Sequence, residues 1–147
     1  MKKIISSIFL LLAAGLSTAI AKDDPSHDQQ VLELFKKEFS AAQQVSWNKQ
    51  DDYDKATFLL TGRRVVAYFN PDGQLEGCIR EIFFDQLPLV VMKSIDQKFP
   101  EAEISTVREI TNTEGTSYRV FLEAKNKKYS IKVGSAGYIE QVEKLPK

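Results

Sequence analysis

A stretch of this 147-residue chain is written twice, and a duplicated unit constrains architecture before any single residue does. The run from Phe39 to Trp47 closes a helical pattern and opens a strand, and the run from Phe99 to Val107 does the same at an offset of 60. Further on, Pro71-Asp72-Gly73-Gln74-Leu75-Glu76 is echoed by Ser135-Ala136-Gly137-Tyr138-Ile139-Glu140 at an offset of 64. The growth in offset places four extra residues between the anchors, most simply in a loop around Asn112 to Ser117. Two copies of one supersecondary unit bury their apolar faces together, so the expectation is a tandem fold: repeat one over 29–86, repeat two over 87–147.

The amino terminus reads as an export signal. Lys2 and Lys3 form a positive start, Ile4 to Ala14 an apolar core, and Ala19-Ile20-Ala21 a small-x-small cleavage site. The apolar stretch is short for a span of roughly 20 residues. The expected organisation is a signal peptide over 1–21 and a flexible lead segment over 22–28, with no transmembrane segment once the signal is removed. The expected location is periplasmic or secreted. The chain has 20 basic and 20 acidic residues, and cleavage removes two of the basic ones. That balance lacks the clustered Lys and Arg that nucleic acid requires. Lys125-Asn126-Lys127-Lys128 is the one basic cluster and suits a hairpin tip.

Asp28 can cap a first helix carrying Val31, Leu32, Leu34, Phe35 and Phe39 along one stripe. Alternating strands follow, punctuated by Thr61-Gly62-Arg63 and by Asn70-Pro71-Asp72-Gly73, where proline presets one turn angle and glycine tolerates a positive one. A fourth strand is expected from Leu75 to Phe84. The second copy gives a helix from Leu89 to Phe99, then strands near 104–111, 117–124, 128–133 and 138–144. The predicted class is α+β: helix plus four antiparallel strands, twice, in a curved sheet with both helices on one face. Hairpin-length connections impose the antiparallel pairing.

Aligning the copies assigns the faces. Val65, Ala67 and Phe69 match Tyr129, Ile131 and Val133, while Ala56, Phe58 and Leu60 match Val120, Leu122 and Ala124. Arg64, Val66 and Tyr68 match Lys128, Ser130 and Lys132. A period of two sends these sets to opposite faces. The helices should cover the apolar one. The other is expected to be open and mixed in polarity, with Leu59, Val66, Tyr68, Arg119, Phe121 and Lys132 as candidate partner-binding residues. Aromatic and arginine side chains are the usual anchors of interfaces.

Catalytic and metal patterns are missing. His27, the sole histidine, stands beside Ser26 and Asp28, but three neighbours on one segment cannot adopt triad geometry. One histidine and one cysteine cannot supply a zinc sphere. Asp51-Asp52-Tyr53-Asp54 is acidic yet lacks the glycine and terminal glutamate of a calcium loop. No glycine-rich phosphate loop or nucleophile elbow occurs. Cys78, the only cysteine, has no intrachain disulfide partner and alternates with strand residues as a half-buried hydrophobe would. No cofactor, no metal and no enzymatic activity are expected.

The order export signal, Phe39…Val45-Ser46-Trp47, Phe69-x-x-Asp72-Gly73, Leu87-Pro88, Phe99-Pro100, Ile104, Tyr118-x-Val120 and Gly137 resembles the PepSY-like, beta-lactamase-inhibitor-like family of exported bacterial proteins common in Bacteroidetes. The resemblance spans the mature chain. It implies a tandem helix-plus-four-strand fold similar to the secreted protein inhibitor of class A beta-lactamases. That inhibitor inserts an acidic hairpin residue into its enzyme, which makes Asp51 and Asp52 hairpin candidates here. Unlike the inhibitor, this chain has no disulfide framework. The resulting expectation is a noncatalytic binding module for a protein or peptide of the cell envelope, working through the open sheet face. A small-ligand carrier with an apolar cavity, a structural part of an envelope assembly and, as a third class, an enzyme built on a carboxylate pair are the competing readings.

Overall fold

The computed structural model describes residues 28–146; the expected signal peptide, His27 and the rest of the lead segment before Asp28 lie outside them. Helix α1 (Gln29–Glu38) starts where the Asp28 carboxylate accepts the Gln30 N–H at 2.9 Å. It buries Val31 and Phe35, four apart, and carries Lys36 and Lys37 in its last turn, next to the unpaired carbonyls. Phe39 ends it, its N–H reaching the Phe35 carbonyl at 2.8 Å. Helix α2 (Leu89–Lys98) buries Val91 and Ile95 and ends at Phe99, whose N–H reaches the Ile95 carbonyl at 2.8 Å. Pro100 follows, with no N–H to continue the helix.

Eight strands form one antiparallel sheet in sequence order: β1 (Gln43–Gln50), β2 (Tyr53–Leu60), β3 (Arg63–Phe69), β4 (Leu75–Ile82), β5 (Glu103–Asn112), β6 (Gly115–Ala124), β7 (Lys127–Gly134) and β8 (Ile139–Lys144). Turns of one kind recur at matching places. Thr61 and Gly62 between β2 and β3, and Lys125 and Asn126 between β6 and β7, all have positive φ. That conformation matches the right-handed twist of two-residue hairpins. Gly73 and Gly137 also have positive φ, +76° and +87°, and their N–H groups reach the carbonyls of Asn70 and Gly134, each at 2.9 Å.

Two details differ from the sequence-based expectation. The four additional residues of the second half do not enlarge a loop. Gln50 pairs with Tyr53 across Asp51 and Asp52, and Asn112 pairs with Gly115 across Thr113 and Glu114, so both hairpins have two-residue tips. The extra residues instead lengthen β5 and β6 by two each, to ten against the eight of β1 and β2. An even extension leaves every side chain on its own face, whereas a single added residue would turn the strand over. Strand β4 also stops at Ile82, short of Phe84. The Phe83 N–H is taken by the Gln86 side chain at 2.8 Å, and Phe84–Gln86 coils into a short 3₁₀ turn. Phe83 is left 57% exposed, with the Arg63 guanidinium 3.3 Å over its ring.

The core has two centres. Val31 and Phe35 pack with Ala56, Phe58, Val65, Ala67 and Phe69. Phe35 meets Trp47, Phe58 and Phe69 edge-on, at centroid distances of 5.1, 5.0 and 6.3 Å; such geometry adds about 0.5–1.5 kcal/mol per pair beyond burial. Leu87, Val91 and Ile95 pack with Val107, Tyr118, Val120, Leu122, Ile131 and Val133. Strands β4 and β5 join the halves, with Arg80 opposite Glu109 and Glu81 opposite Arg108. The first pair closes to 2.8 Å and the second to 3.9 Å, on opposite sides of the sheet because the positions are consecutive.

Candidate functional site

The side chains alternate with the two core sets and so point the other way. Leu59 lies opposite Arg64, Val66 opposite Thr57 and Ile79, and Tyr68 opposite Lys55 and Gly77. Arg119 lies opposite Arg108 and Lys132, and Phe121 opposite Thr106 and Ser130. Register thus brings Leu59, Val66, Tyr68, Arg119, Phe121 and Lys132 onto surface positions that alternate with the packed ones. Not all of them are available. Val66 is only 9% exposed. It floors a shallow hollow of about 170 Å³ lined also by Lys55, Arg64, Tyr68, Ile79, Glu81 and Arg108. Of the six candidates, Val66 is thus the one that lies low among the longer side chains of Lys55, Arg64, Tyr68 and Arg108.

The surface is cationic and aromatic together. The Lys55 ammonium lies 5.9 Å from the Tyr68 ring centre, and the Arg108 guanidinium 5.1 Å from that of Phe121. Lys132 pairs with Glu140 at 2.7 Å, and Arg119 donates to the Ser130 hydroxyl at 3.2 Å. The alternation used for β2, β3, β6 and β7 would have reached Ile79, Arg108 and Ile110 too, had it been carried through β4 and β5. Ile79 meets Val66, and Arg108 and Ile110 meet Arg119 and Ser117, within single hairpins; only the pairing of Ile79 with Ile110 joins strands separated in sequence by α2.

Asp51 and Asp52 form the exposed tip of the β1–β2 hairpin, with Asp51 at φ +53°. Asp51 borders a hollow of about 430 Å³ that reaches across Tyr68, Gly77 and Ile79 to Thr111, Asn112 and Thr113 of the opposite hairpin. Asp52 does not line it. A second hollow of about 450 Å³ is bordered by Thr106, Arg108, Phe121 and Tyr129. Neither takes a lining residue from α1 or α2.

Two acids are perturbed, and one of them, Cys78, also lines the hollow beside Asp51. Cys78 is half-buried, and burial pushes its thiol above the ordinary range, with Arg80 opposing and Glu109 reinforcing the shift. Burial raises the Tyr118 hydroxyl as well, again reinforced by Glu109 and opposed by Arg80. A raised thiol pKa means a protonated, weakly nucleophilic sulfur at neutral pH. Among the described residues no three His, Cys, Asp or Glu side chains gather where they could hold a metal ion. No helix among them is long and apolar enough to cross a membrane.

No protein-family profile and no curated protein matches this sequence. Solved structures do match. A protein from Bacteroides eggerthii DSM 20697 with a provisional periplasmic assignment superposes with a TM-score of 0.72 at 19% identity, over 80% of this chain and 88% of its own. A DUF2874 family protein from Bacteroides uniformis ATCC 8492 gives 0.72 at 20% identity, covering 80% and 89%. A BLIP-like protein from Bacteroides fragilis NCTC 9343 gives 0.69 at 18% identity, covering 80% and 86%. At these identities the likeness is one of fold: this chain has the BLIP-like α+β fold.

Proposed function

We propose that this chain is an exported, noncatalytic binding domain, periplasmic or secreted, that docks a protein or peptide of the cell envelope on its open sheet face. Its two halves are read as a tandem repeat with both helices on one side, in keeping with the PepSY-like motifs of the sequence. The observation that carries the reading is the register, which lines up Leu59, Tyr68, Arg119, Phe121 and Lys132 on positions alternating with those packed under the helices. Aromatic and arginine side chains on such a surface are what interface cores are made of. The BLIP-like fold of a solved neighbour and the periplasmic assignment of another point the same way.

The test is capture from the native envelope by crosslinking, with mass-spectrometric identification. Tyr68→Ala and Phe121→Ala should each reduce the yield of one reproducible partner while thermal unfolding stays within about 3 °C of the parent. A capture profile identical to that of the parent, or lost capture that merely tracks unfolding, would refute docking on this face.

A further inference from the structure

The open face carries an arrangement that its own fold does not balance. Arg108, Arg119 and Lys132 are directly opposed in register on β5, β6 and β7, which places their backbones roughly 5 Å apart in one row across the strands. Like charges directly opposite one another destabilise a sheet. The outer two are offset by carboxylates, Glu81 at 3.9 Å from Arg108 and Glu140 at 2.7 Å from Lys132. The middle one is not. Arg119 is half-buried, its guanidinium donates to the Ser130 hydroxyl at 3.2 Å, and among the described residues no carboxylate pairs with it. A guanidinium presents five N–H donors in a planar fork suited to a carboxylate, and Ser130 engages one of its nitrogens. The matching row of the first half reads Asn48, Lys55, Tyr68 and holds a single cation, so the fold does not require the ladder.

We infer that the Arg108–Arg119–Lys132 ladder is the part of the docking face that receives a carboxylate-bearing segment of the partner protein, with Arg119 as the central anchor. This rests on the protein-docking reading above and adds the chemistry of what is docked. An acidic protein segment fits better than a phosphate-rich polymer or a lipid surface because the ladder is not a bare cationic strip. Phe121 stands in the next row on β6, and Ile110 lies on the same face of β5, with the hollow bordered by Thr106, Arg108 and Phe121 alongside. A partner offering both carboxylates and apolar side chains uses all of these; a polyphosphate uses the cations alone.

The probes are a fluorescent peptide of alternating Glu and Leu, its Gln/Leu counterpart, inorganic polyphosphate and phosphatidylglycerol vesicles, each titrated with the mature chain. The Glu/Leu peptide should bind, the Gln/Leu peptide should not, and raising salt should weaken the binding steeply. Arg119→Gln should lower the affinity by about tenfold, the worth of one charge-assisted contact, without lowering the unfolding temperature, because it removes a repulsion. Lys144→Gln, opposite Tyr129 on the other side of the sheet, should change nothing. Should Arg119→Gln fail to fold, Lys132→Gln and the salt titration of the parent carry the same test. Absent binding of the Glu/Leu peptide, equal binding of the Gln/Leu peptide, an equal loss in Lys144→Gln, or tighter binding of polyphosphate or vesicles would each overturn the inference. If those results came with intact Tyr68- and Phe121-dependent capture, docking on this face would survive and only its acidic chemistry would fall.

Discussion

Gly73 and Gly137 occupy equivalent turns with different surroundings, so alanine at each separates backbone strain from crowding. Both have positive φ, at +76° and +87°, where an L side chain costs about 1–2 kcal/mol. Alanine recovers about 0.4–1 kcal/mol by restricting the unfolded chain. At Gly73 the new methyl carbon would lie 3.4 Å from the Gln30 Cβ, an ordinary contact, so the net cost should be about 1 kcal/mol. At Gly137 it would stand 2.8 Å from the Val90 Cγ2 and 2.9 Å from the Val90 carbonyl oxygen. Overpacking of that kind adds about 1–3 kcal/mol, bringing Gly137→Ala to about 2–4 kcal/mol. For a domain of this size that is a loss of about 10 °C in Tm, against about 4 °C for Gly73→Ala. Urea unfolding followed by the fluorescence of Trp47, the only tryptophan, supplies the free energies. Adding Val90→Ala should relieve only part of the Gly137→Ala cost, since the carbonyl oxygen stays in place. Equal costs at the two glycines, or complete relief by Val90→Ala, would show that helix α2 does not press on this turn as described.

Two further outcomes test the core and the seam. Phe58→Ala removes a ring 1% exposed that touches Phe35 and Phe39 at 5.0 and 4.8 Å; it should cost about 3–5 kcal/mol, whereas Phe83→Ala, stacked only under Arg63, should stay within about 1 kcal/mol by the same urea titration. Because burial raises the Cys78 thiol, the folded chain keeps a proton that the unfolded chain releases. The resulting stability is intact below the unfolded thiol value of about 8.5 and is lost as pH rises through the folded one. Urea midpoints measured from about pH 7.5 to 10 should therefore decline less steeply in Cys78→Ala, and an unchanged slope would remove burial as the cause.

Helices and hairpins were legible because local chemistry specifies them. Asp28 as a cap, Pro100 as a stop and Pro71-Asp72-Gly73 as a turn act within a few residues, and the period of two assigned Phe58 and Leu59 to opposite faces without knowledge of any partner strand. What stayed hidden is what depends on pairing at a distance. The Arg80–Glu109 and Glu81–Arg108 contacts join strands separated in sequence by α2. The cation ladder is local to two hairpins, but its register follows from the two-residue tip between β5 and β6, which reads in the sequence as a longer loop. Asn112 to Gly115 carries turn-forming residues, which is why lengthened strands read as a longer loop. Val66 looked like a contact because alternation reports direction and not depth.

An open sheet has two margins, and here each is written mostly in polar residues, with Val142 the exposed apolar side chain on β8. Strand β1 presents Gln43, Gln44, Asn48, Lys49 and Gln50 to solvent, and β8 presents Glu140, Gln141, Glu143 and Lys144. Charged margins resist the strand-to-strand stacking that leads to fibres. The sheet can therefore stay open at both margins without recruiting copies of the same chain, and neutralising Glu140, Glu143 and Lys144 together would remove that protection from one side.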